Sequence, residues 1–207
     1  MEQIRRAADY EEKQQNIRQN AAAVFADLGM EKASMAQIAA RSQVSKALLY
    51  HYYPSKAELI FDIIYSHLNE LYEVIKNAAE ATAELPPQER LRKLVHQILE
   101  CYRDADDKHQ MQLNSRSSLP DDKIEKINEI ERRIVRLVSA IIEEINPGLG
   151  NNNPLLKPVT MSLFGMLNWV YMWFKPNGPI SRADYADLST TLFLEGLKGI
   201  DAAPQKG

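Results

Sequence analysis

Between Lys32 and Ala57 the 207-residue chain carries no Asp or Glu, while Lys32, Arg41, Lys46 and Lys56 supply positive charge and Tyr50, His51, Tyr52, Tyr53 and several serines supply further donors. That inventory suits holding phosphate rather than breaking bonds. Ammonium, phenol and hydroxyl donors are what a DNA backbone accepts, and such contacts fix register and supply much of the affinity. Other chemistries are thinner. His51, His67, His96 and His109 are scattered, none beside a Ser or Cys in catalytic spacing, and the eight glycines are dispersed rather than gathered in a phosphate-cradling loop. The chain therefore reads as a non-enzyme without a cofactor. Asp104, Asp106, Asp107 and His109 form an acidic cluster. It lacks the alternation and glycine of a calcium loop and the spaced soft ligands of a zinc site, so no metal is expected.

The acid-free stretch is punctuated by helix starts. Ser34 with Gln37, and Ser55 with Glu58, fit the capping box, in which the serine oxygen takes a free backbone N–H and the residue three later reaches back. Ser45, just after Ser42-Gln43-Val44, caps a short helix from Lys46 to about Tyr52, which Pro54 stops. Before it, Ile17, Ala21, Val24, Phe25 and Leu28 share one face of a helix from Tyr10 to Leu28, closed by Gly29 as a left-handed cap. Packing Ile38, Val44, Leu49 and Tyr53 on Phe25 and Leu28 leaves Lys46, Ala47, Leu48 and Tyr50 or His51 outward. The arrangement is a helix-turn-helix.

The run from Ala22 to Ile60 resembles the N-terminal DNA-binding domain of TetR-family transcriptional repressors. The likeness is carried by AAAVFADLG, the IA pair Ile38-Ala39, Val44-Ser45-Lys46, Leu49 to Tyr53 and Ser55-Lys56. The resemblance implies an all-α chain: an N-terminal arm and three-helix helix-turn-helix domain over residues 1–54, then a helical ligand-binding and dimerisation domain over 55–207. It implies a homodimer on a palindromic double-stranded DNA operator, released by a small-molecule effector. The DNA-contacting positions it implies are Ser34, Gln43, Ser45, Lys46, Ala47, Leu48, Tyr50, His51 and Lys56. Gln43 stands where glycine is common and Ala47-Leu48 where Gly-Thr is frequent, which makes the reading surface more apolar.

Composition agrees with a globular chain, 45% apolar and 26% charged. The lone Cys101 and an N-terminus without an apolar targeting core lead us to expect a cytoplasmic protein. The net charge of −3 hides an asymmetry: residues 1–56 hold 8 Lys and Arg against 6 Asp and Glu, whereas 57–207 hold 17 against 22. Only the local field counts over a Debye length of about 8–10 Å. Further helices are expected from Ser55 to about Glu84, Gln88 to Asp104, Asp121 to Ile145, Leu155 to about Phe174 and Ser181 to about Ile200. Met161 to Phe174 falls short of the roughly 20 residues needed to span a bilayer, so no membrane partner is expected. Its helix is apolar on most sides, and a second subunit is the natural cover. The resemblance places the dimer interface on the last two long helices.

Large side chains offer an effector pocket: Tyr102, Met111, Phe164, Met166, Trp169, Met172, Trp173 and Phe174, with Asn114, Arg116 and Asn168 as polar handles. Ordinary core packing is the competing reading of such a Met and aromatic stripe. The stretch NWVYMWFKPNGPIS, Asn168 to Ser181, resembles the TetR regulators that respond to CoA thioesters. That implies an acyl-CoA or aryl-CoA effector, with Arg116, Arg132, Arg133 or Lys175 available for the CoA phosphates. The alternative is a regulator of efflux or stress genes that senses a free aromatic or hydrophobic compound.

Overall fold

The computed structural model describes residues 2–103, 105, 107–108, 111–112, 118–150 and 152–200, the first seven of these as backbone alone. Among them the fold is all-α: α1 (Glu2–Leu28), α2 (Met35–Arg41), α3 (Lys46–Tyr52), α4 (Lys56–Ala81), α5 (Pro87–Cys101), α6 (Asp121–Ile145), α7 (Leu156–Asn168), α8 (Val170–Trp173) and α9 (Arg182–Leu197), with a 3-10 turn at Pro147–Leu149. None of the described helices is long and apolar enough to cross a membrane. The chain divides into two compact units. One takes Met1–His67 and Asp104–Ile127, the other Leu68–Arg103 and Asn128–Gly207.

In the first unit α1 buries Ile17, Ala21, Val24 and Phe25. Gly29 follows at φ +81°, a value glycine adopts without steric cost. Leu28 does not join this core. As the last helical residue, where the chain turns away at Gly29, it stays 42% exposed. The helix also starts eight residues before Tyr10. That segment has no apolar stripe for a periodicity argument to find, yet it is rich in strong helix formers. Lys13 pairs with Asp9 one turn earlier at 3.1 Å, and the Tyr10 ring lies 4.5 Å from that of Tyr52 on α3.

The capping box at α2 is complete: Ser34 Oγ accepts from Gln37 N–H, and Gln37 Oε1 accepts from Ser34 N–H at 2.9 Å. Ile38 and Ala39 are buried against α1. The turn to α3 passes through Gln43 at φ +56°, the left-handed conformation that explains the usual glycine there.

In the second unit α5 buries Leu91, Leu94, Val95, Ile98 and Leu99, and α9 packs on it through Ala186, Ser189, Thr190, Phe193 and Leu197. Ser189 and Thr190 settle their buried hydroxyls by donating to the Ala186 carbonyl at 3.2 and 2.7 Å. A second capping box, Ser181 with Asp184, starts α9. Arg92 and His96 on α5 both reach Asp187 on α9 at 3.0 Å. The helix expected from Leu155 to Phe174 is two helices. It breaks at Trp169, where Met172 N–H closes an i+3 turn on the Trp169 carbonyl. Asn168, a weak helix former, spends its side chain on the Tyr102 hydroxyl just before the break.

Gln43→Gly relieves a left-handed conformation and is expected to stabilise the chain by about 0.5–1 kcal/mol. Urea unfolding should show a higher midpoint at unchanged slope, and a lower midpoint would mean that the glutamine side chain holds the turn.

Candidate nucleic-acid interface and effector residues

A seven-residue helix presents only two faces, and α3 divides them cleanly. Leu49 is fully buried and Tyr53, its C-cap, is 3% exposed, whereas Lys46, Ala47, Tyr50 and His51 stand on the exposed side. Leu48 is half-buried between them. Ser45 Oγ takes the Leu48 N–H at 3.1 Å, and Tyr53 N–H closes on the Leu49 carbonyl at 2.9 Å. Gln43 is exposed in the turn before α3. Ser34, Lys46, Tyr50 and Lys56, with Ser55, line one shallow open groove. Ala47, Leu48 and His51 do not line it, and the His51 ring stands edge-on to Tyr52 at 5.8 Å.

The charges are less bare than the sequence window suggested. Arg41 pairs with Asp27 on α1 at 2.6 Å, an acid outside the 32–57 stretch. Lys56 Nζ donates to the carbonyls of Met30, Glu31 and Ala33 at 2.7, 3.2 and 3.1 Å. Its three donors thus tie the α1–α2 turn to the start of α4. Behind α3, Tyr53 donates to Asp62 Oδ2 at 2.6 Å, and Arg18 and Gln14 donate to the same oxygen at 3.2 and 3.4 Å. Burial first, then the Asp62 carboxylate, hold the Tyr53 phenol well above its usual value. Sequence reasoning missed this carboxylate hub. The available signal was Gln14 and Arg18, spaced i, i+4 beside the inward face of α1.

Of the effector candidates, the structure joins Tyr102 and Asn168: the hydroxyl donates to Asn168 Oδ1 at 2.8 Å. Burial pushes the Tyr102 phenol up, which keeps it a donor. Phe164, on the same helix as Asn168, is 5% exposed. Trp169 and Met172 are more than half exposed and Trp173 is 41% exposed. Trp173 packs edge-on to Tyr185 at 4.9 Å, and Phe174 lies under Arg182 at 4.7 Å. Met166 is half-buried and its carbonyl accepts from the Tyr185 hydroxyl. Arg133 covers the Tyr72 ring at 4.0 Å, and Arg132 and Lys175 are exposed. Met111 is buried and belongs to the first unit. Asn114 and Arg116, like Asp104, Asp106 and His109, lie outside the described residues.

Removing the Lys56 ammonium strands three turn carbonyls, so Lys56→Met is expected to cost about 1.5–3 kcal/mol. Denaturant unfolding of the full chain reads this directly, and a cost near zero would leave the clamp without structural weight.

Residues 17–63 match the family of bacterial regulatory proteins, tetR family, and residues 84–197 match the tetracyclin repressor-like C-terminal domain. A solved TetR-family regulator from Bordetella parapertussis is 30% identical over 92% of this chain and 98% of its own, with a TM-score of 0.82. AibR, solved in complex with isovaleryl coenzyme A and operator DNA, is 24% identical over 87% of this chain and 97% of its own, with a TM-score of 0.70, a likeness of fold. The HTH-type transcriptional activator FasR of Mycolicibacterium smegmatis is 36% identical over 75 residues, and that match spans 36% of this chain and only 33% of FasR. The helix-turn-helix geometry and matches that together take in most of the described residues agree: the chain belongs to the TetR family of transcriptional regulators.

Proposed function

We propose that the chain is a homodimeric, ligand-responsive transcriptional repressor whose α2–α3 pair reads a palindromic DNA operator. The observation that carries this is the outer face of α3, where Lys46, Ala47, Tyr50 and His51 stand exposed on a helix anchored from beneath by Leu49. Two such heads related by a twofold axis enter successive major grooves about 34–36 Å apart. In this reading residues 1–54 bind DNA and 55–207 bind effector and partner. Lys46, Tyr50 and His51 hold phosphates, with Ser34 and Ser45 beside them. Gln43, Ala47 and Leu48 lie toward the bases, and the apolar pair suits thymine methyl groups. Lys56 contributes chiefly by fixing the groove wall, since its donors are spent on the α1–α2 turn.

Support for the dimer comes from exposed apolar side chains on two helices, Met161 on α7 with Trp169 at its end, and Leu188 and Leu192 on α9. A second copy of the same surface is the cover that closed symmetry provides. For the effector we infer an acyl-CoA or aryl-CoA, on the strength of the Asn168–Ser181 stretch and the likeness to AibR. A free aromatic or hydrophobic compound is the second reading. The pair of buried Tyr102 and half-buried Asn168 favours it, because it offers neutral donors and acceptors rather than charge.

On a duplex taken from upstream of the chain's own gene, Lys46→Ala is expected to weaken binding across sequences and lower the log–log salt slope by roughly two units, one for each subunit of the dimer. An unchanged slope in gel shifts removes Lys46 from the phosphate set. Titrating the bound complex with a CoA thioester and with its free acid separates the effector readings. Release by the thioester alone is expected, and release by the acid alone would transfer the assignment to free compounds.

A further inference from the structure

Ser55 and Glu58 stand at capping-box spacing, and the backbone half is made, with Glu58 N–H donating to Ser55 Oγ at 3.2 Å. The glutamate carboxylate is turned elsewhere. Its Oε2 accepts from Lys123 Nζ at 2.8 Å, and Lys123, in the first turn of α6, has a side chain only 15% exposed. The same ammonium lies 4.4 Å from the centroid of the Phe61 ring, on which Tyr65 stacks at 5.2 Å. A mostly buried lysine needs a countercharge and a ring face to offset desolvation, and this one has both. The contact is therefore constrained, unlike a surface ion pair between two mobile side chains.

Glu58 lies two residues beyond Lys56, whose ammonium grips the carbonyls of Met30, Glu31 and Ala33. Ala33 in turn precedes Ser34, the cap of α2. Charge-assisted hydrogen bonds thus run from the first turn of α6 to the first turn of α4, and from there to the α1–α2 turn that leads into the Ser34 cap. All of these residues belong to the first compact unit, while α6 itself continues into the second.

We propose that Lys123 is a positioning residue for DNA reading: by holding Glu58 and Phe61 it fixes the start of α4, and through Lys56 it fixes the start of α2. Displacing the first turn of α6 therefore moves a contact of α4 that lies two residues from Lys56. The inference rests on the assignment of α2–α3 as the DNA-reading head. Coupling of this kind requires a physical element that both ends bias, and the Lys123–Glu58 bridge is that element.

The test is hydrogen exchange on the full chain without DNA, paired with gel shifts on the upstream duplex. Lys123→Met keeps an apolar stem over Phe61 and removes the charge. Amides of residues 31–41 and 56–60 are expected to exchange roughly fivefold to tenfold faster, with α5 and α9 unchanged. Lys123→Arg, which keeps the cation over Phe61, should restore wild-type rates. Glu58→Ala opens the same bridge from the other side and carries the same expectation should Lys123→Met fold poorly. In the gel shift Lys123→Met weakens binding by a similar factor at unchanged salt slope, since Lys123 is assigned no phosphate. Faster exchange confined to residues 120–126, or spread evenly into α5 and α9, overturns the proposal, and so does a slope lowered by about two units, one per subunit. If the wild-type chain binds no duplex, the DNA assignment falls, and the exchange pattern still decides whether Lys123 positions α2.

Discussion

Two helices of seven residues carry the reading head, far below the roughly 12–15 residues at which an isolated helix begins to hold in water. Neither α2 nor α3 can be stable by propensity alone. Each depends on a serine cap at its start and on a buried anchor at its middle, Ile38 in one and Leu49 in the other, both fully buried. The cap removes an orphan backbone donor, and the anchor binds the short helix to the face of α1 or its neighbour. Because the anchors take the inward positions, the outward ones are free to carry chemistry. The presentation of Lys46, Ala47, Tyr50 and His51 follows from that division.

Electrostatics in the head are arranged rather than merely positive. Asp27, Asp62 and Glu58 all border the acid-free stretch, and each takes a cation or a phenol: Arg41, then Arg18 with Tyr53, then Lys123. These pairs lock α1, α2, the end of α3, α4 and the beginning of α6 to one another inside the first unit. Lys46 stands apart from them on the exposed side of α3. The division of labour is between cations that brace the head and a cation on its outer face.

The head was legible in the sequence because caps, a helix-ending glycine and a proline are local signals, and local hydrogen bonds decide where short helices begin and end. Ser34, Ser45 and Gly29 do in the structure what their types require. Features decided by distant partners were not legible. Glu58 reads as a capping-box residue until Lys123, 65 positions later, is seen beside it. The early turns of α1 have no apolar stripe, so nothing announced a helix that a ring on α3 helps to hold. Beside the break at Trp169, Asn168 is engaged by Tyr102, the C-cap of α5 and 66 positions away. The effector candidates were chosen by size and type, which cannot separate the buried Phe164 from the exposed Trp169 five positions on.

The stack of Tyr10 on Tyr52 bears on where the head can be cut. The family match begins at residue 17, so a chimera that transplants only the matched segment onto another regulator's body severs α1 below that ring. It also discards Gln14, one of the donors to Asp62. Such a graft would keep every residue assigned to the reading surface and lose part of the scaffold that aims it. The transferable cassette of this protein therefore starts before Tyr10, within the first turns of α1.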